Sequence, residues 1–204
     1  MRSARSLNSV RVAGGDKREA ILRAATSVFA HNGYFNSKVA DIAREAGVAD
    51  GTVYLYFKSK EEILHSIFDR SVDEAVAEAK KQLATISDPR EKLRQIARLH
   101  LERLGADRDL CVVFQVELRG STKFMEVFSA AGFAEYLTLI RMTFEEGQRA
   151  GLFRADLNSK VVSKILFGAL DEMATNWILS KRRYKLAPLA DQVLDIVLNG
   201  VNAA

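Results

Sequence analysis

Apolar side chains recur every three or four residues along most of the chain, and no run of strict alternation is long enough to read as a strand. The pattern predicts an all-α protein of about nine helices. The first starts near Asp16, carries Ile21, Leu22, Ala25, Val28 and Phe29 inward, and closes at Asn32-Gly33. In the second, Ser37 reads as the N-cap, and Val39, Ile42, Ala43 and Ala46 form the buried stripe. Gly47 supplies the left-handed turn, Val48 returns to the core, and a third short helix begins near Asp50 with Val53 and Phe57 inward. Ser59-Lys60-Glu61-Glu62 has the form of a capping box. It opens a long fourth helix with Ile63, Leu64, Ile67, Phe68, Val72, Val76, Ala79 and Leu83 on one side.

Asp88-Pro89 marks the fifth helix, with proline at its first position; Leu93, Ile96, Ala97, Leu101 and Leu104 follow, up to Gly105. The sixth, around Leu110–Leu118, is apolar nearly all round and is expected to be enclosed by neighbours. A seventh starts near Thr122, is rich in phenylalanine (Phe124, Phe128, Phe133, Phe144) and ends at Gly147 and Gly151. Asn158 caps an eighth that runs to about Leu179, and a ninth runs from Pro188 to Asn199-Gly200. The free faces of these last two are too apolar for water, which predicts an interface.

The second and third helices have the build of a helix-turn-helix. A small residue at Ala43 lets the helices approach, Gly47 makes the turn, and Val53 wedges them at a steep angle. Asp50, Gly51, Thr52, Tyr54, Leu55 and Tyr56 then form an outer face shaped for a major groove. Charge placement agrees. The net charge is +4, yet residues 1–60 hold ten Lys/Arg against five Asp/Glu, so the positive excess lies with this unit. Residues 1–15 read as a flexible basic arm, either a plain leader or one whose Arg2, Arg5 and Arg11 touch DNA.

Other function classes find little support. His31, His65 and His100 lie in different helices without metal-ligand spacing, and neither a phosphate loop nor a nucleophile elbow is present, so no catalytic or metal site is expected. The single cysteine, Cys111, sits in the apolar sixth helix and reads as core. The chain lacks a membrane-length apolar run and an apolar leader, which predicts a cytoplasmic protein.

The run GYFNSKVADIAREAGVADGTVYLYFKSKEEIL, Gly33 to Leu64, resembles the N-terminal domain of the TetR family of bacterial repressors. The resemblance implies a DNA-binding domain over residues 16–61 and a ligand-binding and dimerisation domain over 62–204. It also implies a homodimer, built through the last two helices, on a palindromic double-stranded operator. DNA contacts carry over to Ser37 and Lys38 at the start of the second helix, Gly51 and Thr52 at the start of the third, and Tyr54, Tyr56 and Lys60 at the phosphates. The alternative for Tyr54 or Tyr56 is packing against the first helix. Two positions depart from the family pattern. Ala49 stands where a serine cap is common, and Asp50, where a basic or small residue is common, complements the helix dipole and is a candidate reader of cytosine.

The segments Val112–Ser121 and Phe167–Leu186 are similar to those of the fatty-acid-degradation repressors within that family. That similarity implies a long-chain acyl-CoA effector that releases the repressor from DNA. Candidate ligand residues are Arg98, Arg103, Val113, Phe114, Leu118, Phe128, Phe133, Leu137, Arg141, Phe144, Phe167 and Trp177. Arg119 reads equally as a partner of Glu117 or Glu102, and the Lys181, Arg182, Arg183 and Lys185 cluster as a solvated loop. The alternatives are another apolar effector, such as a drug or aromatic compound, and, from a different class, an acyl-CoA-binding enzyme.

Overall fold

The computed structural model describes residues 14–120, 131–182 and 184–201. Among these the chain forms nine α-helices and no β-strand: α1 (Gly14–Asn32), α2 (Val39–Glu45), α3 (Asp50–Tyr56), α4 (Lys60–Leu83), α5 (Pro89–Ala106), α6 (Arg108–Val112), α7 (Ala131–Arg149), α8 (Ser159–Leu179) and α9 (Leu189–Val201). A π-helical stretch, Val113–Glu117, continues α6. The expected basic arm, the start of the seventh helix at Thr122, and Phe124 and Phe128 lie outside the described residues.

Three caps form where the sequence places them. The Ser59 hydroxyl accepts from the Glu62 amide at 3.1 Å, Asp88 from Arg90 at 2.9 Å, and Asn158 from Lys160 at 3.0 Å. Ser37 is a correction, because the N-cap of α2 is Lys38. The chain leaves α1 through Gly33, at a φ of +77° that favours glycine, and this turn carries Ser37 inward. Its buried hydroxyl donates to the Gly33 carbonyl at 2.7 Å and to that of Val28 at 3.3 Å. Asp41 closes the start of α2 instead, accepting from the Lys38 amide at 3.1 Å. Gly47 takes the left-handed conformation, φ +66°, between α2 and α3. The Val48 amide then donates back to Ala43 at 3.0 Å, so the turn is held at both ends.

Ile21, Leu22, Phe29, Ile42, Ala43, Val53 and Phe57 bury the centre of the N-terminal three-helix unit, and Ile63 and Leu64 extend that core into α4. Two elements join this unit to the C-terminal bundle. One is α4, which continues for 24 residues; the other is α6 with its π-helical end, which packs directly on α1. Sequence periodicity reads this second connector as a plain helix. The Leu118 amide instead donates five residues back, to Val113 at 3.0 Å. That extra residue per turn buries the polar Gln115 and leaves Val116 exposed. The faces of α8 and α9 keep Val161, Ile165, Leu179 and Ile196 more than half exposed, as their apolar sequences require of an unpaired chain.

Candidate DNA-binding surface and effector pocket

α3 presents Asp50, Gly51, Tyr54 and Leu55 to solvent, with Thr52 partly covered. The start of the helix is as the sequence implies. Ala49 stands at the N-cap without a side-chain hydrogen bond, and Asp50 supplies the negative charge in the first turn. Lys38 is exposed at the start of α2. Tyr56 is partly buried and packs on the core, which favours the packing alternative for that residue. Leu55 is the residue underweighted in the sequence reading. At 82% exposure it is the most exposed large apolar side chain of those described, and it offers the kind of surface that meets a thymine methyl.

Two expected phosphate contacts have other duties. Ser37 is buried and its hydroxyl is spent on α1 carbonyls. The Lys60 ammonium, at the first position of α4, turns back onto the α1–α2 turn. It donates to the carbonyls of Tyr34 at 2.6 Å and Ser37 at 2.8 Å and sits 4.3 Å from the centre of the Tyr34 ring. Partial burial lowers its pKa from the ordinary lysine value. In this structure the Lys60 ammonium braces the α1–α2 turn.

The bundle holds a partly open cavity of about 120 Å³. Phe68, Ser71, Val72, Ala75, Glu78 and Ala79 line it from α4, Ile96, Leu99, His100, Arg103 and Leu104 from α5, and Phe114 and Gln115 from the π-helical stretch. Phe133 and Tyr136 of α7 and Phe167 and Asp171 of α8 complete the described wall. Phe133 meets Phe167 edge-on with centroids 4.8 Å apart. The polar groups cluster at one part of this wall. Asp171 accepts from Gln115 at 2.8 Å and forms a close ion pair with Arg119, while His100 Nδ1 lies 2.9 Å from the Tyr136 hydroxyl. Burial pulls the His100 pKa down to about 4 and pushes the Tyr136 hydroxyl upward, so both are neutral at pH 7.

Of the candidate ligand residues, Arg103, Phe114, Phe133 and Phe167 reach this wall. Arg98 does not; its guanidinium pairs with Asp191 at 3.0 Å and Glu91 at 3.4 Å, tying α5 to α9. Those contacts hold the Asp191 carboxyl below its ordinary range, the Arg98 hydrogen bond foremost. Val113 and Leu118 are core residues, and Phe144 stacks on Phe153 at 5.0 Å. Arg141 pairs with Glu145 along its own helix, and Trp177 donates to the Tyr184 carbonyl at 2.9 Å. Leu137 is partly buried on α7 and is not among the described lining residues; Phe128 lies outside the described chain. The misses share a cause. Helical spacing finds the inward face of each helix but not which part of it meets a void rather than another side chain. Arg119 pairs with a carboxylate, as the sequence suggests, but with Asp171 and not Glu117 or Glu102; the contact spans 52 positions in the chain. His100, Tyr136 and Asp171 were missed as well; polar residues at otherwise apolar helix positions were the available signal. Cys111 is buried as expected, and its thiol is pushed up to about 12.

The cavity wall also contacts the DNA-binding unit. The Tyr34 amide, in the turn between α1 and α2, donates to Glu117 Oε2 at 2.6 Å. Glu117 ends the π-helical stretch whose inner side carries Gln115 against Asp171. The turn before α2 is thus gripped by α4 through Lys60 and by the π-helical stretch through Glu117, and both elements line the cavity.

Comparison with known proteins places these features in context. Residues 21–67 match the family described as bacterial regulatory proteins, tetR family, and residues 68–200 match one described as YsiA-like protein, C-terminal region. The fatty acid metabolism regulator protein of Bacillus subtilis is 34% identical over 187 residues, 89% of this chain and 94% of that one. The structure of fatty acid degradation regulator FadR from Bacillus halodurans superposes with a TM-score of 0.86 at 36% identity, over 90% of this chain and 95% of that one. FadR from Bacillus subtilis, solved in complex with stearoyl-CoA, superposes with a TM-score of 0.85 at 32% identity, over 90% and 99%.

Proposed function

The chain belongs to the TetR family of bacterial regulatory proteins, and on that premise we propose that it is a cytoplasmic repressor of fatty-acid degradation genes, released from its operator by long-chain acyl-CoA. Residues 16–61 bind DNA and residues 62–204 bind the effector and dimerise. Lys38, Asp50, Gly51, Thr52, Tyr54 and Leu55 face the operator, with Tyr56 supporting them from the core side. The apolar faces of α8 and α9 join two copies, which sets the recognition helices on half-sites about 34–36 Å apart.

The observation that carries the reading is that the elements walling the apolar cavity also hold the turn in front of α2. The acyl-CoA assignment is supported by the relative that binds stearoyl-CoA. Burial of an acyl tail gains roughly 0.8 kcal/mol per CH2, so length is rewarded. An acyl tail that enters between the rings and branched side chains of this pocket parts its walls. α4 and the π-helical stretch move with them, and the Tyr34 turn moves with both. An effector shifts such an equilibrium only by its differential affinity for the two conformers, and a chain that fits only the widened cavity has that differential built in. Arg103, on the cavity wall and bonded to Ser71 and Glu74, is the arginine placed to meet the anionic head. Regulation of this kind needs no nucleophile, and the Cys111 thiol is protonated at any physiological pH.

A gel shift tests the reading, with DNA from upstream of fatty-acid oxidation genes and stearoyl-CoA, free CoA and stearate as additions. Loss of the complex with stearoyl-CoA alone is expected. Retention of the complex with stearoyl-CoA at saturation overturns the effector assignment and leaves the DNA-binding assignment standing.

A further inference from the structure

His100 and Tyr136 share one hydrogen bond, His100 Nδ1 to the Tyr136 hydroxyl at 2.9 Å, and His100 Nε2 is shielded from solvent without any partner among the described residues. The proton count of the pair is fixed whichever tautomer is present. A neutral imidazole has one N–H and the phenol has one O–H, and a single hydrogen bond between them uses one of the two. If Tyr136 donates, the hydrogen on Nε2 is left over; if Nδ1 donates, the Tyr136 hydrogen is left over. Among the described residues one donor therefore remains unspent, beside the rings of the cavity wall: Phe167 meets the imidazole edge-on at 5.8 Å, and Phe133 lies beyond it. The neighbouring polar groups pair elsewhere: Asp171 accepts from Gln115 and Arg119, the Gln115 oxygen accepts from Thr175 at 2.9 Å, and none of them is hydrogen-bonded to His100 Nε2. Buried donors are nearly always satisfied, and one left open on a cavity wall marks the place where a ligand supplies the missing acceptor.

We propose that the His100–Tyr136 pair is the polar anchor of the effector pocket and donates a hydrogen bond to an oxygen on the acyl chain of the ligand. The inference rests on the acyl-CoA reading and sharpens it: the pocket selects for an oxygen at a fixed depth, not for chain length alone. The oxygen is either the thioester carbonyl or a hydroxyl further along the chain, since both present the same acceptor. Uncharged donors suit such an oxygen and would not compensate a buried carboxylate, so a free fatty-acid headgroup is disfavoured at this depth.

Calorimetric titration of the full-length protein with palmitoyl-CoA, S-hexadecyl-CoA (a thioether without the carbonyl) and 3-hydroxypalmitoyl-CoA tests the proposal. On the wild type at least one oxygen-bearing ligand is expected to bind about tenfold tighter than the thioether, the magnitude of one net hydrogen bond. Preference for palmitoyl-CoA over the thioether identifies the carbonyl as the acceptor; further preference for the hydroxylated chain identifies the hydroxyl. In the double variant His100→Leu/Tyr136→Phe, which removes both donors of the pair, the preference is expected to shrink to within about twofold, while binding of the thioether persists. Equal affinity of all three ligands for the wild type overturns the proposal without need of any variant, as does an undiminished preference in a folded His100→Leu/Tyr136→Phe protein. If none of the three binds, the acyl-CoA reading itself fails and this inference falls with it.

Discussion

Glu117 Oε2 accepts the Tyr34 backbone amide at 2.6 Å, across 83 positions of sequence. The carbonyl of the same Tyr34 accepts from Lys60 at 2.6 Å. One residue of the turn in front of α2 is therefore fixed at both of its backbone groups, by two elements that each form part of the cavity wall. The link is physical: a carboxylate–amide bond is charge-assisted and directional, so a shift of the π-helical stretch either carries the turn along or breaks the bond.

Glu117→Ala is expected to uncouple effector from operator. Loss of the acceptor leaves a partly buried amide open, at about 1–3 kcal/mol. Operator affinity falls several-fold, and the ratio of operator affinities with and without acyl-CoA moves toward one. Fluorescence anisotropy with labelled operator reads both quantities. An unchanged ratio would show that coupling runs through α4 alone.

Lys60 and Lys38 should separate a brace from a phosphate contact. Lys60→Met is expected to lower thermal stability and leave the salt dependence of operator binding unchanged, because its ammonium is spent on backbone carbonyls. Lys38→Ala is expected to do the reverse: little change in Tm, but a slope of log Kd against log salt reduced by about 1 per protomer. Thermal denaturation and anisotropy over a salt series check the pair.

The Arg119–Asp171 pair predicts non-additive mutants. Arg119→Met leaves the buried Asp171 carboxylate with Gln115 as its only strong donor among the bonds described and is expected to cost about 1–3 kcal/mol, discounted because Arg119 is about a third exposed. Adding Asp171→Asn removes the stranded charge and should recover much of the loss. Urea denaturation of both singles and the double mutant gives the coupling; strict additivity would show that the pair is not a unit.

Half-buried His100, whose Nε2 is shielded from solvent, makes a signed pH prediction. Its folded pKa, about 4, lies below its ordinary 6.5, so from pH 6.5 downward the unfolded chain takes up a proton that the folded chain refuses. Stability is complete above pH 6.5 and is lost as pH falls toward 4. Between about pH 7.5 and 5 the loss from this group is about 2 kcal/mol. His100→Leu should flatten that part of the profile, measured by urea denaturation at a series of pH values; a wild-type profile that rises as pH falls would contradict the enclosure of the imidazole.

An acidic residue on the exposed α9 face tests the assembly. Ile196, 75% exposed, is expected to be covered by the second copy. Ile196→Glu should shift the protein toward monomer in analytical ultracentrifugation and weaken binding to a two-half-site operator by more than tenfold, while helical content is retained. A variant that stays dimeric would move the interface elsewhere.

The helices and their caps were legible in the sequence because they depend on near neighbours. Ser59, Asp88 and Asn158 each bond within three residues, and Gly47 must be where the chain turns left-handed. The helix-turn-helix was legible for the same reason. What escaped was set by contacts distant in sequence. Ser37 has the side chain of a cap, but the exit of α1 through Gly33 rotates it into the core. Lys60 looks like a basic residue beside a recognition helix, yet carbonyls more than twenty positions earlier draw it inward. The π-helical turn after α6 follows no apolar period, and it alone decides that Gln115 faces the cavity and Glu117 faces Tyr34. Arg98 illustrates the limit for the pocket: an arginine on a suitable helix is tied to Asp191 of α9 and is not part of the cavity wall.

The most direct test of the central claim is the thermodynamic cycle between operator and acyl-CoA. Stearoyl-CoA affinity is measured by calorimetry for the free protein and for the protein saturated with operator, and operator affinity with and without saturating stearoyl-CoA. If the widened cavity and the DNA-bound turn exclude one another, each ligand weakens the other by the same factor, on the order of tenfold to a hundredfold. Tight binding of both ligands together, with neither affinity changed, would contradict the account.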